Sequence, residues 1–324
     1  MALELVQGVT MEDYLKNIGA ESRRIVSDAG AKMANKSVEA AASTALEGAR
    51  ELDRLYQDAK AKHQALVNLS YMWANEGLFA EGFYHGDIHK GNIMTSEGWK
   101  KGSEDAPKNI TLIDFGNASD LNKTDRASVV KVVAGCATGD FKLFAEGYQN
   151  LLSKDGQAKF KADAADIESE IGEVMQKGKL ADTGLRMSAI LKVLQEKHSI
   201  EVPPAIHNFL ESQRRLQTAM DEALSTMKAI ASERQKLIQP YLENLDPDAR
   251  EEIQGKLSEA AAYRPGSIMK SITDVVSQNL LSAMMSIGSA SKAKQCYNKI
   301  KDQIEVPQPN VQELNNPAMQ PLPV

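Results

Sequence analysis

The chain has 324 residues, a net charge of −6 and a pI near 5.6. That balance excludes a nucleic-acid binder held by bulk electrostatics. Two distant cysteines, Cys136 and Cys296, do not make a disulfide framework and fit a reducing compartment. No N-terminal stretch reads as a cleavable signal peptide, and no run of about 18 apolar residues makes a transmembrane helix. A cytoplasmic protein is expected, and a secreted effector working in a host cytosol fits the same composition. Aromatics are only 5% of residues; Ala, Lys and Glu are frequent, which favours helices.

Residues 2–15 predict a short strand, a turn at Gly8 and a helix, with Thr10 as N-cap and Asp13 three residues on. Residues 16–50, rich in Ala, Ser, Lys and Glu, predict partly exposed helix, a solvated insertion without chemistry. Residues 51–79 carry Leu52, Leu55, Tyr56, Ala59, His63, Leu66, Leu69, Met72 and Trp73 at spacings of three and four. They predict a buried, central helix ending near Gly77. His63 on this stripe is expected to be structural.

The most informative stretch follows, from Gly82 to Asn117. It reads Gly-Phe-Tyr-His-Gly-Asp-Ile-His-Lys-Gly-Asn-Ile-Met, a polar loop, then Asn-Ile-Thr-Leu-Ile-Asp-Phe-Gly-Asn. Asp87 and Asn92 stand in an Asp-x-x-x-x-Asn loop, and Asp114 opens Asp-Phe-Gly. Phosphoryl transfer requires such residues because the protein mainly positions the nucleophile and neutralises phosphate charge through Mg²⁺. Mg²⁺ takes oxygen ligands, usually one or two carboxylates plus phosphates. Asp114 offers a carboxylate and Asn92 a neutral carbonyl oxygen, while Asp87 is placed to orient the attacking hydroxyl or accept its proton. Gly116 suits the turn after Asp114. Ile93 and Met94, with Ile110, Leu112 and Ile113, predict a two-stranded hairpin around the polar loop 95–109. The bland alternative makes Asp87, Asn92 and Asp114 turn formers flanking that hairpin. Lys100 and Lys101 in the loop read as solvated charge.

Beyond Asn117, Val129–Ala137 and Phe141–Leu152 predict two helices broken near Gly139-Asp140. Charged helix follows to about Leu180, then another around Met187–Gln195, until Val202-Pro-Pro interrupts. A long helix runs from Ala205 towards Ile238, with Ile206, Phe209, Leu216, Met220, Leu224, Met227 and Ile230 on one face and Pro240 as its stop. Two further helices are predicted, Pro247–Ala262 and Ser267–Ser289. The second bears few charges and suits packing on the domain or on a partner helix better than a membrane surface. The tail from Val306 holds five of the eleven prolines and reads as disordered.

These residues resemble the UbiB-like (ADCK) branch of atypical kinases. The resemblance runs through Leu3-Glu-Leu-Val-Gln-Gly-Val-Thr-Met-Glu-Asp, Gly82–Asn92, Leu112–Gly116 and Val202-Pro-Pro-Ala-Ile-His-Asn-Phe-Leu-Glu-Ser-Gln-Arg-Arg-Leu. Together they cover about two-thirds of the chain, and the His-Gly-Asp loop is also similar to that of aminoglycoside phosphotransferases. The resemblance implies a mainly α, protein-kinase-like C-terminal lobe with a small β-hairpin at the active site. It places the lobe at residues 1–238 (hinge 1–10, catalytic loop 85–92, Asp-Phe-Gly 114–116), a helical extension at 239–303 and the Pro-rich tail at 304–324.

By the same resemblance Asp87 is the catalytic base, and Asn92 and Asp114 hold Mg²⁺ with ATP. Glu4, Leu5 and Val6 are hinge backbone near adenine. His85, His89, Gly91, Phe115 and Gly116 support the loops. Gly86 stands where many protein kinases carry an Arg that reads activation-loop phosphate, so that control is not expected.

The family's glycine-rich loop, Lys-bearing strand and N-terminal motifs have no counterpart in the sequence. An upstream segment or a separate chain is therefore expected to supply the small lobe, and this chain alone is expected to bind ATP weakly. The leading expectation is Mg²⁺- and ATP-dependent phosphotransfer to a protein or small-molecule acceptor, or ATP hydrolysis. The alternative is a non-catalytic, pseudokinase-like scaffold. A purely helical structural protein accounts for the composition but not for residues 82–117.

Overall fold

The computed structural model describes residues 8–100, 110–176 and 183–263, with Gln295 and Asn298. Most of these residues are helical, and apart from a two-residue strand at Val9–Thr10 the strands fall in the stretch that carries Asp87, Asn92 and Asp114. A mainly α fold with small sheets is what the sequence predicts, and it is consistent with the C-lobe that the resemblance implies. The hinge residues Glu4 to Val6, the loop 101–109, the helix expected at Ser267–Ser289 and the tail lie outside the described residues.

Strand β1 (Val9–Thr10) leads directly into α1 (Met11–Met33). Thr10 Oγ1 accepts the Asp13 amide at 3.1 Å, satisfying one of the donors that a helix start leaves open. After α1 the chain turns through Asn35, whose φ is 64°. It re-enters helix at Ser37, whose Oγ accepts the Ala40 amide at 3.3 Å. From there α2 runs unbroken over Val38–Met72.

Residues 16–50 are therefore no solvated insertion. Ile18 and Ile25 of α1 and Ala41, Ala42, Ala45 and Ala49 of α2 are all buried. Small alanine side chains give a weak apolar pattern yet let helices approach closely, which is why the sequence reading missed their burial. Helix α2 also fails to stop at Gly77. It continues as a π-helical segment, Trp73–Glu81, and ends at Gly82, whose φ is 83°. Single-turn π segments are the usual form, so nine residues directly before a candidate site are notable.

The expected hairpin exists, but with company. β3 (Ile93–Thr95) and β4 (Ile110–Leu112) pair antiparallel, Ile93 opposite Leu112. β1 adds to the outer edge of β3, Val9 opposite Thr95, giving the sheet order β1-β3-β4. A second, two-stranded sheet pairs β2 (Phe83–His85) with β5 (Ala118–Asp120), His85 opposite Ala118. The sequence reading did not anticipate this pair.

The predicted break near Gly139-Asp140 separates α3 (Lys123–Thr138) from α4 (Phe141–Leu151). The two helices pack at glycine contacts. A Cβ on Gly135 would lie 2.5 Å from the Phe144 amide nitrogen, and one on Gly147 would lie 2.6 Å from the Ser128 carbonyl oxygen. α5 (Lys154–Ala162), α6 (Ala164–Gln176) and α7 (Thr183–His198) complete this side.

The longest later element is α8 (Pro204–Ile238), which starts with proline in its first turn, where no amide partner is lost. Of its predicted stripe Ile206, Phe209, Leu216, Met220, Met227 and Ile230 are buried and Leu224 is half-buried, Ala223 beside it being the buried one, and α8 lies along α2. A 3₁₀ turn at Gln239–Asn244 leads to α9 (Pro247–Ala262), which packs back on α2 and α8.

One polar cluster joins these three helices. The Arg234 guanidinium of α8, wholly buried, pairs with Asp53 of α2 and donates to the Lys256 carbonyl of α9 at 2.8 Å. Lys256 Nζ reaches the other Asp53 oxygen at 3.0 Å. The guanidinium carbon sits 5.1 Å from the centroid of the Tyr56 ring. His63 is structural, as expected: it is buried and its Nδ1 lies 2.8 Å from the Tyr263 hydroxyl. Among the described residues no helix is long and apolar enough to cross a membrane.

Candidate active site

The loop that carries Asp87 is fixed from below by aromatic and backbone contacts. Trp73, first in the π-helical segment, stacks on Phe209 of α8 with ring centroids 5.6 Å apart. Its indole nitrogen donates to the His85 carbonyl at 3.2 Å, and Ser212 of α8 donates to the same oxygen at 3.3 Å. The predicted helix and the predicted loop are thus bolted together at His85.

His85 itself is buried and uses both ring nitrogens. Nδ1 accepts the Asp87 amide at 3.1 Å, so Nε2 carries the proton and donates to the Ile113 carbonyl at 3.0 Å. One side chain therefore sets the backbone entering Asp87 and the backbone entering Asp114. Asn92 makes a second cross-link. Its side-chain Nδ2 donates to the Asp87 carbonyl at 3.1 Å, and its own carbonyl accepts the Ile113 amide at 2.9 Å. The third is Gly86, whose amide donates to Asn117 O at 2.8 Å. A Cβ at Gly86 would stand 2.5 Å from that oxygen, so a larger residue would force the loops apart.

These bonds tie the loop of Asp87 and Asn92 to Ile113, directly before Asp114, and to Asn117 after it. Asp114 is exposed and adopts φ 56° and ψ 72°, a left-handed conformation uncommon for a residue with a side chain. Strain of this kind persists where surrounding structure enforces it, and it gathers at functional sites. Asp114 Oδ1 accepts the Gly116 amide at 3.3 Å; the positive φ that made glycine suit position 116 falls on Asp114 instead, and Gly116 does not adopt it. Phe115 is half exposed, its ring centroid 5.0 Å from that of His85. His89 Nδ1 accepts the Gly91 amide at 3.0 Å, which closes the loop before Asn92.

Asp87 has a partner that the sequence reading did not assign. Its buried Oδ1 forms an ion pair with the Arg215 guanidinium of α8 and has no hydrogen-bond partner. Its Oδ2 faces His89 Nε2 at 3.9 Å. Arg215 is oriented in turn by Glu211 one turn earlier, through Nε at 2.8 Å. Glu211 is held below the usual carboxylate range, chiefly by its hydrogen bond to Arg214. Further along α8, Glu222 accepts from Lys90 at 2.8 Å and raises the lysine's pKa; Glu12 of α1 adds a longer contact at 3.8 Å.

Phe209, Ser212, Arg215 and Glu222 recur at near-helical spacing on α8, and all four meet residues in or beside the loop. That spacing was the available signal for Ser212, Arg215 and Glu222, but the sequence marks this helix by its apolar face and, over Val202–Leu216, by the resemblance, and neither singles these residues out. Of the loop lysines, Lys100 is paired with Glu97 and Lys101 lies outside the described residues.

The donor set suits a hard cation. Asn92 spends Nδ2 on the Asp87 carbonyl, which leaves its Oδ1 as the acceptor. Asp114 commits only Oδ1 to the Gly116 amide. A Mg²⁺ ion held by these two residues would complete its shell with phosphate oxygens and water. Among the described residues no group of three or more His, Cys, Asp or Glu stands ready to hold a metal.

No curated protein and no solved structure matches the chain. Over residues 1–148 the chain matches the family model of the ABC1 atypical kinase-like domain, in agreement with the UbiB-like resemblance of its loops.

Proposed function

We propose that the chain carries out Mg²⁺- and ATP-dependent phosphoryl transfer at the cleft between the catalytic loop and Asp-Phe-Gly, with a protein or small molecule as acceptor, or with water in hydrolysis. The single observation that supports this most is the set of cross-links through His85 and Asn92 that ties the loop of Asp87 and Asn92 to the backbone directly before Asp114. A decayed site has no need of that registration. The kinase-like family match agrees with it at the level of reaction class.

In this reading Asn92 Oδ1 and the Asp114 carboxylate hold the metal, which when bound neutralises charge on the transferring phosphoryl group. The Asp87 carboxylate faces the acceptor, orients its hydroxyl and takes its proton as the acceptor oxygen bonds to the γ-phosphorus and the bond from that phosphorus to the departing ADP oxygen breaks. Asp114 can rest in its left-handed conformation because the cross-linked loops hold it there, so its carboxylate needs no rearrangement when nucleotide arrives. Glu4 to Val6, outside the described residues, would offer backbone to adenine.

The test is turnover of Mg²⁺-ATP by the full chain, with any further segment or partner chain needed for activity, and by three variants. Asp114→Ala should abolish turnover. Asp87→Ala should lower kcat by at least a hundredfold while KM for ATP changes little. Asn92→Ala should fall between Asp114→Ala and the parent in metal dependence, since it removes no formal charge. An Asp114→Ala protein that turns over ATP like its parent would favour a binding scaffold instead.

A further inference from the structure

Arg215 sits beside the carboxylate that the phosphotransfer reading makes the acceptor-facing base, and nothing in that reading requires a guanidinium there. It comes from a helix more than a hundred residues later in the chain. Its placement is also built rather than casual. Phe209, Ser212 and Glu222 fasten the same helix to the loop region through Trp73, the His85 carbonyl and Lys90. Glu211 occupies Arg215 Nε, and Nη1 goes to Asp87. The guanidinium is planar, so fixing these two nitrogens fixes the direction from which Asp87 is held.

We propose that Arg215 is the positioning residue for Asp87: it holds Oδ1 so that only Oδ2 is presented to the acceptor. This rests on the phosphotransfer reading for its consequence, though not for its geometry. A lone carboxylate two bonds from the backbone has several rotamers and two equivalent oxygens. Pairing Oδ1 with a rigid fork removes that freedom before the acceptor arrives, which is where positioning contributes to rate.

The other groups facing Asp87 do not take over this task. His89 Nε2 stands 3.9 Å from Oδ2, beyond hydrogen-bond reach. Asn92 bonds the Asp87 main chain and not its carboxylate. Lys90 is directed to Glu222 and Glu12. Glu211 also makes the geometry directional, because a lysine at 215 could pair with Asp87 or Glu211 but could not bridge them with a planar fork.

The experiment compares the parent with Arg215→Met, Arg215→Lys and Glu211→Gln in the full chain. Crystal structures of the parent and of Arg215→Met report where the Asp87 carboxylate lies. Steady-state Mg²⁺-ATP turnover separates kcat from KM, and thermal unfolding verifies folding.

In Arg215→Met the Asp87 carboxylate should leave its observed position. kcat should fall at least tenfold, KM for ATP should stay within about twofold, and melting should stay close to the parent. Arg215→Lys should recover part of kcat, and Glu211→Gln should cost less than Arg215→Met. Adding Arg215→Met to Asp87→Ala should change nothing further, because Arg215 acts only through Asp87.

The proposal is overturned if Asp87 keeps its place in Arg215→Met, or if that variant keeps the parent's kcat while Asp87→Ala loses it. If Asp87→Ala and Asp114→Ala both turn over like the parent, it is the phosphotransfer reading that fails, and the position of Asp87 in the Arg215→Met crystal still decides the geometry. Should Arg215→Met not fold, Arg215→Lys and Glu211→Gln carry the test. Parental kcat and an unmoved Asp87 in both would overturn the proposal.

Discussion

Replacing Asp53 by alanine would strand a cation in the middle of the molecule. Arg234 has no exposure to water, and Asp53 is the anion paired with it. With Asp53 gone, Arg234 keeps the Lys256 carbonyl at 2.8 Å, the face of Tyr56 and a weaker electrostatic pull from Glu259. Lys256 Nζ loses the same anion and falls back on Glu252, at 3.1 Å. Removing one partner of a buried pair typically costs about 3–5 kcal/mol, because the remaining charge stays desolvated and uncompensated. At about 2–4 °C per kcal/mol for domains of 150–250 residues, the melting temperature should fall by about 6–20 °C.

The double variant Asp53→Leu with Arg234→Met removes both charges together, so it should recover most of that loss. Thermal unfolding followed by far-ultraviolet circular dichroism measures both. An Asp53→Ala protein that melts within about 2 °C of the parent would show that the cluster does not hold α2, α8 and α9 together as argued.

Two more perturbations test the packing. Gly135→Val places a side chain where even a Cβ lies 2.5 Å from the Phe144 amide nitrogen, so α4 must shift away from α3. A loss of about 1–3 kcal/mol in urea unfolding is expected, and an unchanged midpoint would contradict the close contact. His63 is held below its ordinary pKa by burial, opposed in part by Asp221. The unfolded imidazole therefore takes up its proton at a higher pH than the folded one. The stability linked to His63 is present above about pH 6.5 and is lost as pH falls below it. Relative to His63→Gln, the parent's melting temperature should drop more steeply between pH 7.5 and 5.5; parallel slopes would rule this out.

Legibility in the sequence followed physical range. Leu52, Leu55, Tyr56, Ala59 and Leu66 are large or well spaced, so their helix was plain, as was the break at Gly139-Asp140. The start of α2 at Ser37 was hidden because Ala41, Ala42, Ala45 and Ala49 give little periodic signal despite being buried. β2 and β5 are three residues each, too short for alternation to show, and they pair across the whole catalytic stretch. The residues of the candidate site itself were readable because Asp87, Asn92 and Asp114 lie within one continuous stretch of chain. Their supports were not. Ser212 reaches the His85 carbonyl from 127 residues away, and Glu222 reaches Lys90 from 132. Only the packing of α8 against the loop brings them there.

The central claim is that Asn92 and Asp114 form a metal–nucleotide site, and the most direct measurement is the binding of Mn²⁺-ATP, with Mn²⁺ as a paramagnetic substitute for Mg²⁺. It uses the full chain, with any segment or partner that activity requires. Water-proton relaxation reports the ternary complex without depending on turnover. Asp114→Ala should weaken Mn²⁺-ATP binding at least tenfold, about 1.4 kcal/mol. Asn92→Ala should weaken it less, and Asp87→Ala should stay within about twofold of the parent. Equal Mn²⁺-ATP affinity in the parent and in Asp114→Ala would contradict the account.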